Sequence, residues 1–314
     1  MRMTGLALVG IAMLLIISDG AAYGQASVAH AGFKFAAEVP LLECGGTPCI
    51  EATAEGKSIR LSVDTGNVNS VLDSKVAQAL GLKATGRPQK SGAPEGMFQT
   101  IIPSLRIGAL KLENVAALSA DLSEMIRVKE MPRVDGILAY TAFQDRVLQL
   151  DFAAHTLRIS EVQPSGWCSD RCDKISLITF GNDGPPIVVA QGFEINAERV
   201  SAQVDTMFTG SMLIYTASVE KLSLKGASQS TDVRFFPLTD GGVNMKEAEA
   251  QKEGFRNVTL SGERAKVYFP TENVHEPDGL FDATVGVGLF REAVLTLDFH
   301  EMTINVEKGS KAPH

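Results

Sequence analysis

Val63-Asp64-Thr65-Gly66-Asn67-Val68-Asn69-Ser70-Val71-Leu72 and Val204-Asp205-Thr206-Met207-Phe208-Thr209-Gly210-Ser211-Met212-Leu213 are one pattern written twice, 141 residues apart (205 − 64). Each runs from an apolar strand into an Asp-Thr turn, then Ser and a short apolar pair. A Leu-x-Leu follows at nearly the same offset, Leu80-Gly81-Leu82 and Leu222-Ser223-Leu224. A duplicated Asp has a chemical consequence. Two carboxylates brought face to face can hold one proton between them, so that one acts as acid and the other as base.

The repeat extends beyond the turns. Aligning Asp151 with Asp298 (offset 147) pairs Phe143 with Phe290, Val147-Leu148 with Val294-Leu295, and Phe152 with Phe299. It also pairs Asp135-Gly136-Ile137-Leu138-Ala139 with Asp282-Ala283-Thr284-Val285-Gly286. A period near 140 is a domain duplication and not a solenoid repeat. Ile59-Arg60-Leu61-Ser62-Val63 alternates at period two, as do the runs Val147 to Phe152 and Leu295 to Phe299, so strands dominate. Short helices are expected over Asp73 to Leu80 and Thr216 to Leu222, with Asp73 and Thr216 as caps. The Pro/Gly-containing stretch Gln163-Pro164-Ser165-Gly166-Trp167-Cys168 marks the boundary between halves. Asp151 and Asp298 lie between strand and turn and read as structural.

These landmarks resemble the aspartic peptidase superfamily, pepsin- and retropepsin-like, in its exported bacterial form with two tandem lobes. The resemblance covers about Phe33 to Val306. It rests on Asp64-Thr65-Gly66 with Ile137-Leu138-Ala139, and on Asp205-Thr206-Met207 with Thr284-Val285-Gly286. It implies an all-β, bilobal fold of two duplicated lobes, 25–162 and 176–307, with an interlobe linker over 163–175 and a tail over 308–314. It further implies an endopeptidase whose dyad, Asp64 and Asp205, activates a water in an interlobe cleft. Peptide or unfolded protein would be the substrate, the chain would be a monomer, and neither metal nor organic cofactor would be needed. Thr65 and Thr206 would lock the two turns together beneath the carboxylates. Gly66 would let its N–H approach the carboxylate, and Asn67 would bond the outer oxygen of Asp64. Three positions depart from the pattern. Met207 stands where the family has Gly, so its side chain must point away from the dyad. Phe208 offers Asp205 no side-chain hydrogen bond, and Ala139 replaces the crossing-strand Gly. A covering hairpin, or flap, is expected within Gly86 to Gln99, with Gly92 and Gly96 in it and Met97 and Phe98 placed to touch substrate. The rival reading is a non-enzymatic member of the fold that holds extended peptide or a protein partner.

Composition and charge agree with such a protein. The 314 residues are 45% hydrophobic, enough for one large domain or two lobes. A net charge of −8 argues against nucleic acid or an anionic membrane surface as partner. The run from Gly5 to Ile17 follows Arg2, is too short to span a bilayer, and gives way to small residues around Ala22-Tyr23-Gly24. A signal peptide over 1–24 is expected, with export to the periplasm or medium and no membrane association after cleavage. The four cysteines fall as close pairs, Cys44/Cys49 and Cys168/Cys172. Two local disulfides fit an oxidising compartment; a single tetrathiolate zinc site is the competing reading. The five His are scattered without a metal-binding spacing.

Overall fold

The computed structural model describes residues 34–86, 97–125, 134–161, 172–179, 186–195, 197–219, 221–222, 231–235, 243–250, 253–255, 258–259, 265–270 and 280–309. The chain is mostly β with short helices. The expected signal peptide, Gly92, Gly96 and Cys168 lie outside the described residues.

Each half repeats one local construction. Strand Lys57–Val63 carries Ile59, Leu61 and Val63 on its buried positions and delivers the chain to Asp64. Strand Glu198–Asp205 does the same for Asp205. A short strand then crosses beside it in parallel. Gly136–Leu138 pairs Leu61 with Gly136 and Val63 with Leu138, while Ala283–Gly286 pairs Ala202 with Ala283 and Asp205 with Gly286. The equivalence reaches single hydrogen bonds. Asp135 accepts from the Arg60 N–H and donates its own to the Arg60 carbonyl, and Asp282 makes the same reciprocal pair with Ser201. Arg60 and Ser201 are 141 residues apart, so the two lobes are copies in geometry as well as in spelling.

After each turn a short strand and helix follow. Helix Ser74–Ala79 is capped by Asp73, whose carboxylate accepts from the Lys75 and Val76 N–H groups. In the second half the helix is Thr216–Val219, so Thr216 is its first residue and not its cap.

The halves are joined by pairing between their C-terminal strands. Val147–Asp151 and Ala293–Asp298 lie antiparallel with Val147 opposite Asp298, Gln149 opposite Thr296 and Asp151 opposite Val294. Exchanging the lobes at the offset of 147 carries Gln149–Thr296 onto itself and turns each of the other two pairs into the other. The contact is therefore self-complementary, like a two-fold interface between identical subunits. Phe35–Pro40 and Thr156–Ser160 extend this sheet on one side, Thr303–Lys308 and Asp173–Thr179 on the other. Strand Asp173–Thr179 begins inside the expected linker of 163–175. The shared sheet buries Leu148, Leu150, Leu295 and Leu297 at 0% exposure, which ties both lobes to one apolar core.

Asp151 and Asp298 each accept backbone N–H groups from the turn that follows: Ala154 for Asp151, His300 and Glu301 for Asp298. Asp151 also faces the buried Arg158. Cys44 and Cys49 form a disulfide across the Gly45-Gly46 turn. Cys172 is disulfide-bonded too. Among the described residues no cysteine is free, which leaves no place for a tetrathiolate zinc site.

Candidate active site

The two turns meet at the centre of the molecule. The Thr206 hydroxyl accepts from the Thr65 N–H at 3.1 Å and donates to the Val63 carbonyl at 2.5 Å. The Thr65 hydroxyl donates to the Val204 carbonyl at 2.7 Å. Each threonine thus binds backbone of the opposite lobe, and both are buried, at 0 to 1% exposure. Thr206→Val would strip partners from the Thr65 N–H and the Val63 carbonyl at once. Leaving a buried polar group unpaired costs about 1–3 kcal/mol each. The expected loss is about 2–4 kcal/mol in a denaturant titration, with a fall in any activity that depends on lobe registry. An unchanged midpoint would refute the lock.

Above this lock sit Asp64 and Asp205, each 1% exposed. Their surroundings differ. The Asp64 Oδ1 accepts the Gly66 N–H at 2.8 Å and the Asn67 N–H at 3.2 Å, and its Oδ2 accepts the Asn67 Nδ2 at 2.6 Å. The Asp205 Oδ1 accepts the Met207 and Phe208 N–H groups at 2.8 and 3.2 Å, but its Oδ2 is buried with no partner among the described residues. Burial raises the pKa of Asp64, and the Asn67 side chain followed by the Gly66 and Asn67 N–H groups opposes the rise. Burial raises Asp205 much further. The charge of Asp64 adds to it, and the Met207 and Phe208 N–H groups offset only part. Both carboxyls are thus held above the usual range, Asp205 the more strongly, and the pair titrates as a unit.

The departures in the second turn have a steric explanation. A Cβ on Gly66 would lie 2.8 Å from the Asp205 Cβ and 2.9 Å from the Gln203 Nε2, so the first turn has room only for glycine. Met207 points elsewhere. Among the described residues the non-glycine residues with positive φ are Glu55, Asn114, Asp145, His155, Ala197 and Met302, so Met207 keeps ordinary backbone. Its side chain is 1% exposed and packs with Val71, Ala120, Leu122 and Ile137 of the first lobe, with Met97 and Leu118 against them. Phe208 is buried at 2% exposure. A Cβ on Gly210 would meet its ring at 2.5 Å, and one on Gly286 would meet its carbonyl oxygen at 2.1 Å. Gly286 must be glycine for that reason. Its counterpart Ala139 faces the turn of Asn67, whose carbonyl accepts the Tyr140 N–H, and carries a methyl group without conflict.

The two ends of the segment expected to form the flap come together. Gly86 and Gln99 form an antiparallel bridge, with the Gln99 N–H donating to the Gly86 carbonyl at 2.8 Å and the Thr85 N–H to the Gln99 carbonyl at 2.8 Å. Met97 is partly buried against the Met207 cluster, while Phe98 is 36% exposed. Among the described residues no three His, Cys, Asp or Glu side chains gather to hold a metal ion.

Sequence reading missed a polar relay behind the dyad. Gln203, 3% exposed, donates from Nε2 to the Gly66 carbonyl at 3.2 Å. Its Oε1 accepts from the Thr284 hydroxyl at 3.1 Å, which in turn shares a hydrogen bond of 2.9 Å with the Tyr215 hydroxyl. The signal was a Gln inside the apolar run Val200 to Val204, where the first half has the smaller Ser62.

Residues 50–142, within the first lobe, match a family model described as aspartyl protease. Over the whole fold the chain is similar to the aspartic proteinase from Irpex lacteus. That likeness has 11% sequence identity and a TM-score of 0.52, and covers 87% of this chain and 97% of that one. Basic 7S globulin from soybean is similar at 10% identity with a TM-score of 0.48, over 87% and 95% of the two chains. None of the curated proteins matches in sequence. The first lobe thus matches an aspartyl protease model over residues 50–142, and the fold across most of the chain is pepsin-like.

Proposed function

We propose that the protein is an aspartic-type endopeptidase. The observation that carries this reading is the pair of buried carboxylates with unequal hydrogen bonding on turns cross-linked by Thr65 and Thr206. Asp64, ionised, takes the proton of a water attacking the scissile carbonyl. Asp205, protonated, donates to the carbonyl oxygen, and its unpartnered Oδ2 is the atom with that proton to give. The cross-linked turns hold the two groups ready before substrate arrives. The substrate is extended peptide or unfolded protein, held with no metal or cofactor. The chain works as a monomer after export and removal of residues 1–24.

The second reading, a peptide-holding protein without turnover, draws on the 1% exposure of both carboxylates, which leaves little room for water. Cleavage of an unfolded protein separates the two. Activity should follow a bell in pH bounded by the two apparent pKa values of the pair. Both groups are displaced upward from 3.8, Asp205 strongly, so the active window should lie in mild acid and not at the strongly acidic end. A statine-type peptide should inhibit and chelators should not. A wild-type chain that binds such a peptide yet cleaves nothing between about pH 3 and 7, the span over which carboxyl dyads titrate, would decide for the second reading.

A further inference from the structure

The relay from Tyr215 through Thr284 and Gln203 ends on one particular peptide. Gln203 donates to the carbonyl of Gly66, and so does the Val188 N–H at 3.3 Å. The other end of the same peptide is the Asn67 N–H, which donates to the Asp64 Oδ1. Second-lobe donors therefore hold a first-lobe peptide whose N–H faces the first-lobe carboxylate. A hydrogen bond accepted at a peptide carbonyl polarises that peptide and strengthens the bond its N–H donates.

The device exists on one side only. The counterpart of Gln203 is Ser62 (203 − 141), whose buried Oγ has no partner among the described residues. The counterpart of Thr284 is the apolar Ile137 (284 − 147). Gln203 faces Thr284, and Ser62 faces Ile137, at the same register of the crossing strands. The duplication thus supplied the site, and three polar side chains in the second half broke its symmetry. Gln203 also fills the space against Gly66, where it lies 2.9 Å from the position a Cβ would take.

We propose that Gln203 is a positioning residue that holds the Gly66–Asn67 peptide against Asp64, and that Thr284 and Tyr215 hold Gln203 in turn. This deepens the peptidase reading and rests on it. The relay makes Asp64 the ionised partner, in company with the Asn67 side chain. The titratable group that bears on Asp64 is Asp205, from the facing turn. Tyr215 ends the relay on the far side, with its ring against Phe281. Gln203, Thr284 and Asn67 do not titrate.

Gln203→Met keeps the volume and removes the donor. Its expected effect is an upward shift of the acid limb of the kcat/KM profile by roughly half a pH unit, about a threefold loss on that side, with the plateau unchanged. Tyr215→Phe and Thr284→Val leave Gln203 in place and should move the limb the same way by less. They keep the question open to refutation if Gln203→Met fails to fold. An acid limb that stays put, or a loss uniform across pH, would overturn the proposal, since a merely structural glutamine moves no limb. Carboxyl 13C titration of Asp-labelled protein, with Asp64→Asn to assign the signal, reads the same shift without turnover. If the wild type cleaves nothing, the peptidase reading fails. The positioning role then stands or falls on whether the Asp64 signal titrates higher in Gln203→Met.

Discussion

Asp205→Asn is expected to lower turnover by at least about a thousandfold, as loss of a group that works as a unit with its partner does, and to make the protein more stable at neutral pH. The folded state raises the Asp205 pKa well above 3.8, chiefly by burial and then by the charge of Asp64. A carboxyl raised in this way contributes its full share of stability below the unfolded value, where it is protonated in both states. That share is lost as pH rises through the folded value, because the unfolded chain releases its proton and the folded one resists. Each unit of displacement is worth about 1.4 kcal/mol. An amide at this position keeps an oxygen for the Met207 and Phe208 N–H groups and carries no charge to penalise. The variant should therefore match the wild type in acid and melt a few degrees higher at neutral pH. Turnover surviving in Asp205→Asn would remove this residue from the chemistry. A lower melting temperature at neutral pH would mean that the buried pair is not the strained element described above.

Met207→Ala should carry a large cost in stability. Truncating a buried Met costs about 2–5 kcal/mol, and Met207 is packed in a first-lobe cluster while its backbone belongs to the second. The N–H that Met207 gives to the Asp205 Oδ1 survives the change. kcat/KM measured well below the melting temperature should consequently stay within about threefold of wild type, a difference worth less than 1 kcal/mol. Met207→Gly, the residue usual in the family, should be less stable again by about 0.5–1 kcal/mol. Thermal melts beside low-temperature kinetics test both halves. A stable Met207→Ala variant, or one inert when fully folded, would contradict the packing.

The Asp-Thr turns were legible because two requirements coincide there. Apolar alternation must bring a strand to the turn, and the turn needs small polar residues to close on its own backbone. The crossing strands were legible as partners of those turns, and Asp73 as a cap, for similarly local reasons. The Asp64–Asn67 bond could be anticipated because both groups lie in one turn. Beyond the threonine lock that the resemblance implied, what stayed hidden was contact between residues distant in sequence. The direction of Met207 depends on an apolar hollow built from Val71, Ala120, Leu122 and Ile137, which no local pattern announces. Gln203 looked like one polar residue in a strand because its partners, Gly66 and Thr284, lie 137 and 81 residues away. The period-two strands Val147–Asp151 and Ala293–Asp298 were visible, but nothing in either one said that it pairs with its own copy.

That pairing sets an order of events at the ribosome. Strand Val147–Asp151 borders Thr156–Ser160 on one side as soon as both are made. Its other edge waits for Ala293–Asp298, some 143 residues later (294 − 151). At bacterial to eukaryotic elongation rates the open edge lasts roughly seven to thirty seconds. During that time its unpaired backbone is a template for any passing strand, including the same strand of another nascent copy. Fusing two copies in one chain fixes stoichiometry and lets the halves diverge around the proton. The cost is a first half that cannot close its own sheet and depends on chain not yet synthesised.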